Sequence, residues 1–265
     1  MRLVSIASGS SGNCIYVGND STHLLVDAGI SMVRTKNGLE ELGIDFSLLD
    51  GILITHEHGD HIGGLGPILR KYQIPVYATK GTIEGIMQTK GIGKIDSELF
   101  HCIKPEESFR LKDISVNPIK ISHDANEPVA YRFHYEDKKI SILTDLGYYN
   151  DYIAESIKGS DILFVEANHD IRMLQVGRYP YPLKQRILGD RGHLCNENCG
   201  RLISSVLHDN VKSIMLGHLS KENNLPELAY ETVKLEITMS ENEYNGNDFP
   251  IYVAQRDTLS QELVC

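Results

Sequence analysis

The chain has 265 residues, 41% of them hydrophobic and 23% charged, and a formal net charge of −10. This is enough apolar material for a sizeable core, and the charge argues against a broad basic face that grips nucleic acid non-specifically. No run of about 18 apolar residues could span a bilayer, and the five cysteines form no paired framework. We therefore expect a cytoplasmic protein with free thiols and no membrane partner.

Apolar runs and turn signals predict two β-rich halves, each followed by helices. Predicted strands of the first half cover residues 3–7, 14–17, 23–27, 51–55, 76–78 and 98–103, and predicted helices cover 31–42, 61–72 and 83–89. The second half has a β-rich stretch at 109–144, strands at 161–166, 213–216 and 251–254, and helices at 182–188, 196–208 and 225–239. Without repeats or linkers, this pattern predicts one α/β domain over residues 1–265, with two packed sheets between outer helices.

The motif THEHGDH at residues 55–61 concentrates metal-binding side chains in one short stretch. His56 and His58 alternate as on an extended segment leaving a strand, and Asp60 and His61 follow where the chain turns into a helix. Four such groups packed together would clash electrostatically unless a cation lay among them. The mixed nitrogen and oxygen ligands suit zinc, manganese or iron.

The chain resembles the metallo-β-lactamase fold superfamily, whose signature is HxHxDH at the end of a core strand. The resemblance implies a four-layer αββα sandwich and further ligands at later strand ends. His123 follows SVNPIKI, Asp145 ends SILTD and His218 ends SIMLGH. It implies two divalent ions, held in this way: His56, His58 and His123 around the first, Asp60, His61 and His218 around the second, and Asp145 between them.

Three further features resemble the tRNA 3′-processing branch of that superfamily. Glu166 ends the apolar run DILFVE, His193 follows a glycine, and Ser220 comes two residues after His218. The resemblance implies that metal-activated hydroxide attacks phosphorus, with Asp60 holding or deprotonating the water. His193, oriented by Glu166, would then protonate the leaving oxygen.

Over residues 3 to about 257 the chain resembles the bacterial YycJ/WalJ family. The resemblance is carried by ASGSSGNCIYV, THEHGDHIGGLG, EPVAYRF, TDLGYY, EANHD, RGHLC and LGHLSKENN. It implies a 5′-to-3′ DNA exonuclease that acts on single-stranded DNA or on a duplex with a 5′ end. Cys195 stands where the family's GHLS motif has serine.

Several residues are predicted substrate contacts. The glycine-rich turn that contains Ser10, Ser11 and Asn13 could direct backbone N–H groups at a phosphate, and three residues near the last predicted ligands, Asn168, His169 and Ser220, could contact the substrate. A cationic cluster precedes His193 and is a further candidate for binding phosphate: Lys184, Arg186 and Arg191.

Two alternatives stay open at this point. One keeps the metal site but makes the substrate a small thioester, lactone or other ester. The other is a non-catalytic scaffold that has kept the fold, although such a protein should have lost ligands and this sequence has all seven. The sequence does not distinguish zinc, manganese and iron, nor DNA from RNA, and it indicates no oligomeric state.

Overall fold

Two seven-stranded sheets lie face to face in the computed structural model, which describes residues 1–265. The strands are Arg2–Ala7 (β1), Cys14–Gly18 (β2), His23–Val26 (β3), Gly51–Leu53 (β4), Val76–Thr79 (β5), Phe100–Ile103 (β6), Phe109–Leu111 (β7), Ile114–Lys120 (β8), Val129–Tyr135 (β9), Lys138–Leu143 (β10), Ile162–Glu166 (β11), Ser213–Gly217 (β12), Ile251–Val253 (β13) and Leu263–Val264 (β14). The α-helices are Met32–Glu41 (α1), Gly59–Ile62 (α2), Leu65–Tyr72 (α3), Lys80–Gln88 (α4), Asp151–Ile157 (α5), Ile171–Val176 (α6), Tyr181–Leu188 (α7), Asn196–Val206 (α8) and Pro226–Met239 (α9).

The strand order is β14-β1-β2-β3-β4-β5-β6 in the first sheet and β13-β12-β11-β10-β9-β8-β7 in the second. In the first sheet β3 runs parallel to β4. In the second, β10, β11 and β12 are parallel neighbours, and β8 has the same direction because β9 is antiparallel to both β8 and β10. The carboxyl ends of these four strands therefore share one edge of their sheet.

Three apolar cores lie between the layers of the sandwich. The inner core lies between the sheets and is built from facing strand residues such as Leu24, Tyr131 and Phe164. One outer core packs the first sheet against α1 and α3, and the other packs the second sheet against α5, α8 and α9. The layer order is helix, sheet, sheet, helix, which confirms the predicted αββα sandwich.

The single helix predicted for residues 61–72 is divided into α2 and α3 by Gly63 and Gly64. The Gly64 N–H donates to the Ala28 carbonyl over 2.8 Å, and a Cβ on Gly64 would lie 1.8 Å from the Ile30 carbonyl oxygen. The close approach of the loop after β3 therefore requires glycine here. Two short helices, α5 and α6, were not predicted.

None of the helices is both long and apolar enough to cross a membrane.

Candidate metal centre

The seven predicted metal ligands converge on one edge of the sandwich. His56 and His58 follow β4, and Asp60 and His61 belong to α2. His123, Asp145 and His218 follow β8, β10 and β12, whose carboxyl ends lie together. Asp145 and His218 have left-handed backbones, with φ of 56° and 54°. Such conformations are costly for non-glycine residues and persist where the surrounding structure imposes them, commonly at functional sites.

The first group of nitrogen atoms belongs to three histidines. His58 Nδ1 lies 3.0 Å from His56 Nε2 and 3.3 Å from His123 Nε2. His123 Nδ1 donates to the Gly192 carbonyl over 3.0 Å, so the lone pair of the neutral ring is at Nε2, on the side of His58. Burial lowers the pKa of both His56 and His123 and favours the neutral form, which binds metals. These three atoms could hold one cation.

The second group combines Asp60 with His61 and His218. Asp60 Oδ2 lies 3.4 Å from Nε2 of both histidines, and the three residues could hold a second cation. Burial disfavours a charge on His61, yet Asp145, Asp27 and Asp60 raise its pKa well above the ordinary value. The carboxylates therefore stabilise positive charge here, whether a proton or a metal ion carries it.

Asp145 lies between the two groups. Its Oδ1 is 3.7 Å from His123 Nε2 and its Oδ2 is 3.1 Å from His61 Nε2. Oδ2 is buried and accepts no hydrogen bond in the structure. An unsatisfied buried carboxylate oxygen is unfavourable, and a cation beside it would remove the penalty. The donor set and this orphaned atom therefore fit a pair of divalent ions.

Asp27 supports this centre and was missed by the sequence analysis. It follows β3, is buried, and has a φ of 64°. Its Oδ2 accepts a hydrogen bond from His61 Nδ1 over 2.7 Å, and its Oδ1 accepts from the Thr55 N–H over 2.8 Å. Asp27 thus fixes the His61 ring with Nε2 toward the cluster. The sequence did contain a signal for Asp27: it ends the apolar run HLLVD, which contains β3, the strand beside β4.

Glu166 and His193 lie together, as the resemblance implied. His193 Nδ1 donates to Glu166 Oε2 over 2.9 Å, and the Leu194 N–H donates to Oε1 over 2.7 Å. The same Oε2 accepts from His218 Nδ1 over 2.8 Å, a contact that the sequence did not predict. Burial would raise the pKa of Glu166, but His193 and His218 lower it to about 2.

His193 lies beside the cluster and is only partly buried. Its Nδ1 is 3.6 Å from Asp145 Oδ1, and its ring neighbours those of His123 and His218. Burial lowers the pKa of His193, but the opposing effects of Glu166 and Asp145 are larger in sum and raise it above the ordinary value. A protonated imidazole beside a phosphate could donate a proton.

The predicted substrate contacts occupy two different places. Ser10 and Ser11 are exposed in the loop between β1 and β2, whereas Asn13 is buried at its end. Asn13 Nδ2 lies 3.2 Å from His61 Nε2, and the Asn13 N–H donates to the Asp60 carbonyl over 2.8 Å. The loop thus borders the second ligand group, and the Asn13 N–H holds the backbone of Asp60, a predicted ligand.

Asn168, His169 and Ser220 are buried behind His218. Asn168 Nδ2 donates to the His218 carbonyl over 3.0 Å, and its Oδ1 is 3.3 Å from His169 Nδ1. Ser220 Oγ accepts from the Asn223 N–H over 3.2 Å. These side chains support the loop that carries His218, and their contact with substrate stays a prediction.

The three cations before His193 form contacts within the chain. Arg186 makes a bidentate ion pair with Asp124, Arg191 Nε donates to the His123 carbonyl over 3.2 Å, and Lys184 Nζ donates to a carbonyl of α6 over 2.7 Å. Arg186 and Arg191 thereby fix the loop that carries His123.

An αββα sandwich with this histidine and aspartate cluster at one edge defines a protein of the metallo-β-lactamase-fold class. Comparisons with known proteins agree. A family model described as "Beta-lactamase superfamily domain" matches residues 22–214. The solved metallo-β-lactamase-fold protein YhfI of Bacillus subtilis superposes with a TM-score of 0.72, over 98% of this chain and 100% of its own, at 16% identity.

Two curated relatives narrow the assignment. Exodeoxyribonuclease WalJ of Streptococcus pneumoniae is 42% identical over 96% of this chain and 94% of its own length. Exodeoxyribonuclease YycJ of Bacillus anthracis is 42% identical over 86% of each chain. The chain therefore belongs to the beta-lactamase superfamily and, within it, to the YycJ/WalJ family. The prediction of a metal-dependent hydrolase is confirmed by this membership.

Proposed function

We propose that the protein is a two-metal phosphodiesterase that degrades DNA from the 5′ end. The relatives named exodeoxyribonucleases support nuclease activity on DNA in general. The observation that carries the proposal is the position of Glu166, whose carboxylate binds His193 and His218 through the same oxygen. A phosphodiester has an alkoxide leaving group, and a positioned acid beside the metal centre provides the proton that it needs.

The ion-binding roles follow the two ligand groups. One ion would be held by His56, His58 and His123, the other by Asp60, His61 and His218, with Asp145 in contact with both. Zinc, manganese and iron all suit these ligands. When bound, such ions supply a hydroxide nucleophile at neutral pH and neutralise the charge of the phosphoryl group.

The protein's own side chains position and move the protons. Asp60 would orient the attacking water and accept its proton, because its Oδ2 lies 3.4 Å from Nε2 of both His61 and His218 and its side chain is partly exposed. His193 would donate its proton to the leaving 3′ oxygen. Glu166 holds Nδ1 of His193, so the free Nε2 would be the atom that donates.

The test is degradation of DNA labelled at its 3′ end, with and without a 5′ phosphate, by protein loaded with Mn²⁺ or Zn²⁺. The wild type should retain the label on progressively shorter strands. Asp60→Ala should abolish shortening. Asp137→Ala is the matched control and should act like the wild type, because Asp137 is exposed in the turn before β10, at the opposite end of that strand from Asp145.

Two outcomes would contradict the proposal. Early release of the 3′ label as a mononucleotide would show that the protein degrades DNA from the 3′ end. Absence of any shortening, together with hydrolysis of a thioester or lactone, would favour the alternative substrate class and remove the reason for a His193 acid.

A further inference from the structure

Residues 171–191, which we call the rim segment, comprise α6, α7 and the loops after each. In its first third, Gly177 packs against Asn223, since a Cβ on Gly177 would lie 2.5 Å from Asn223 Oδ1. Asn223 belongs to the loop after His218. Toward its end, Arg186 pairs with Asp124, the residue after His123. The rim segment therefore packs against the loops that contain His123 and His218, and it ends two residues before His193.

The rim segment has the opposite charge to the rest of the protein. It contains five cationic side chains and one acidic one, a net of +4 in a chain whose formal charge is −10. Arg172 and Arg178 are exposed and form no ion pair within the chain, unlike Arg186. Unpaired exposed cations on a segment that packs against the loops of two predicted metal ligands are suited to binding a polyanion.

The rim segment also exposes apolar surface. Tyr181, the first residue of α7, is 73% exposed, and Val176, the last residue of α6, is 86% exposed. Tyr179 lies between them and is partly buried. Exposed aromatic rings interspersed with cations are the arrangement that binds single strands, because unpaired bases stack on the rings while the cations contact the phosphates.

We propose that the rim segment binds the unpaired strand that leads into the metal centre, with Tyr181 stacking on a base and Arg178 contacting a phosphate. This inference rests on the proposed nuclease function and adds the form of its substrate. In a duplex the base faces are hidden by stacking, so Tyr181 would favour single-stranded DNA or a single-stranded 5′ overhang over a blunt duplex.

The experiment measures the affinity of the full chain for a fluorescent single-stranded oligo(dT) whose phosphorothioate linkages resist cleavage. Tyr181→Ala should weaken binding about 5- to 100-fold, the usual effect of losing one stacking platform, and Tyr181→Phe should not. Arg178→Gln should reduce the slope of log affinity against log salt by about 0.7. Lys212→Gln is the matched control and should change neither quantity, since Lys212 is exposed just before β12, at the opposite end of that strand from His218.

Two companion measurements separate this inference from the proposed function. Hydrolysis of bis(p-nitrophenyl) phosphate by the metal-loaded variants should match the wild type, because that ester has no flanking nucleotides to contact the rim segment. Binding of a blunt duplex should be insensitive to Tyr181→Ala.

Unchanged single-strand affinity in both Tyr181→Ala and Arg178→Gln would overturn the inference while leaving the nuclease proposal intact. Equal losses for single strand and blunt duplex with Tyr181→Ala would overturn the stacking role. If single-strand binding depends on both residues but the wild type shortens no DNA, the binding surface stands and the exonuclease proposal fails.

Discussion

Glu166 accepts a hydrogen bond from His218, with 2.8 Å between Oε2 and Nδ1. An ionised carboxylate can only accept, so Nδ1 of His218 carries a proton, and Nε2 is turned toward Asp60, 3.4 Å from its Oδ2. Because His193 bonds to the same oxygen, one buried carboxylate orients a predicted metal ligand and the proposed acid together. The spacing between the ligand and the acid is therefore set by Glu166.

Because Glu166 contacts both His193 and His218 through this oxygen, Glu166→Gln and His193→Ala should have different effects. Loss of Glu166 should weaken metal binding about 10- to 100-fold, as expected when a partner of a metal-binding histidine is lost, and should also reduce DNA cleavage. Loss of His193 should reduce cleavage and leave metal content unchanged. Metal analysis after dialysis, paired with cleavage rates, checks both. Full metal content in Glu166→Gln would contradict the orienting role toward His218.

Asp27→Asn should weaken metal binding by a similar factor, about 10- to 100-fold. Asparagine tolerates the left-handed backbone of this position, but its amide cannot accept from both His61 Nδ1 and the Thr55 N–H as the carboxylate does. Asp50→Asn is the matched control. Asp50 lies just before β4 and accepts a hydrogen bond from the His23 N–H, but it contacts none of the predicted metal ligands. Equal metal retention in the two variants would argue against the role of Asp27.

Cys195→Ser should stabilise the protein by about 0.5–1 kcal/mol. Cys195 is the N-cap of α8, where its sulfur accepts from the Asn198 N–H over 3.4 Å, and a serine oxygen is a stronger acceptor. Cys199 lies on the buried face of the same helix, in the apolar core. Cys199→Ser should instead destabilise the protein by about 1–3 kcal/mol, because the hydroxyl is buried. Urea unfolding of both variants measures the two changes.

Asp113 gives a pH-dependent contribution to stability that is independent of the metal centre. Burial alone would raise its pKa, but the hydrogen bonds from Thr22, Ser21 and Asn19 together outweigh it and lower the pKa from 3.8 to about 2. A lowered pKa means that the contribution is complete above the unfolded value of 3.8 and is lost as the pH falls through about 2.

Asp113→Asn should therefore reduce the free energy of unfolding at pH 7, and the difference from wild type should shrink once the pH falls below about 4. Urea unfolding of both proteins across this range measures the difference. A difference that grows on acidification would show that the folded-state pKa of Asp113 is not lowered.

The seven predicted metal ligands could be named from the sequence because the resemblance to the metallo-β-lactamase fold implies where they lie, in one contiguous motif or at a strand end. Asp27 was missed because its partner His61 lies 34 residues later, so that only the parallel pairing of β3 and β4 brings them together. The second contact of Glu166 was missed for the same reason, since β11 and β12 must first be neighbours.

The differences between the predicted and observed helices and strands also have specific causes. The periodicity of residues 61–72 is helical throughout, and only the loop at Ile30 requires the break at Gly64. Helices α5 and α6 have seven and six residues, too few for a clear period. Strand β14 has two residues and exists because the chain ends meet, with Leu263 paired to Leu3.

The proposed role of His193 as the acid is tested by comparing two phosphodiesters that differ in their leaving group. For DNA, whose alkoxide must be protonated, His193→Ala should lower kcat/KM by about 10²- to 10⁴-fold. For bis(p-nitrophenyl) phosphate, whose phenolate leaves without a proton, the same variant should retain nearly full activity. An equal fall for both esters would contradict the account, because His193 would then be a metal ligand or a structural residue rather than the acid.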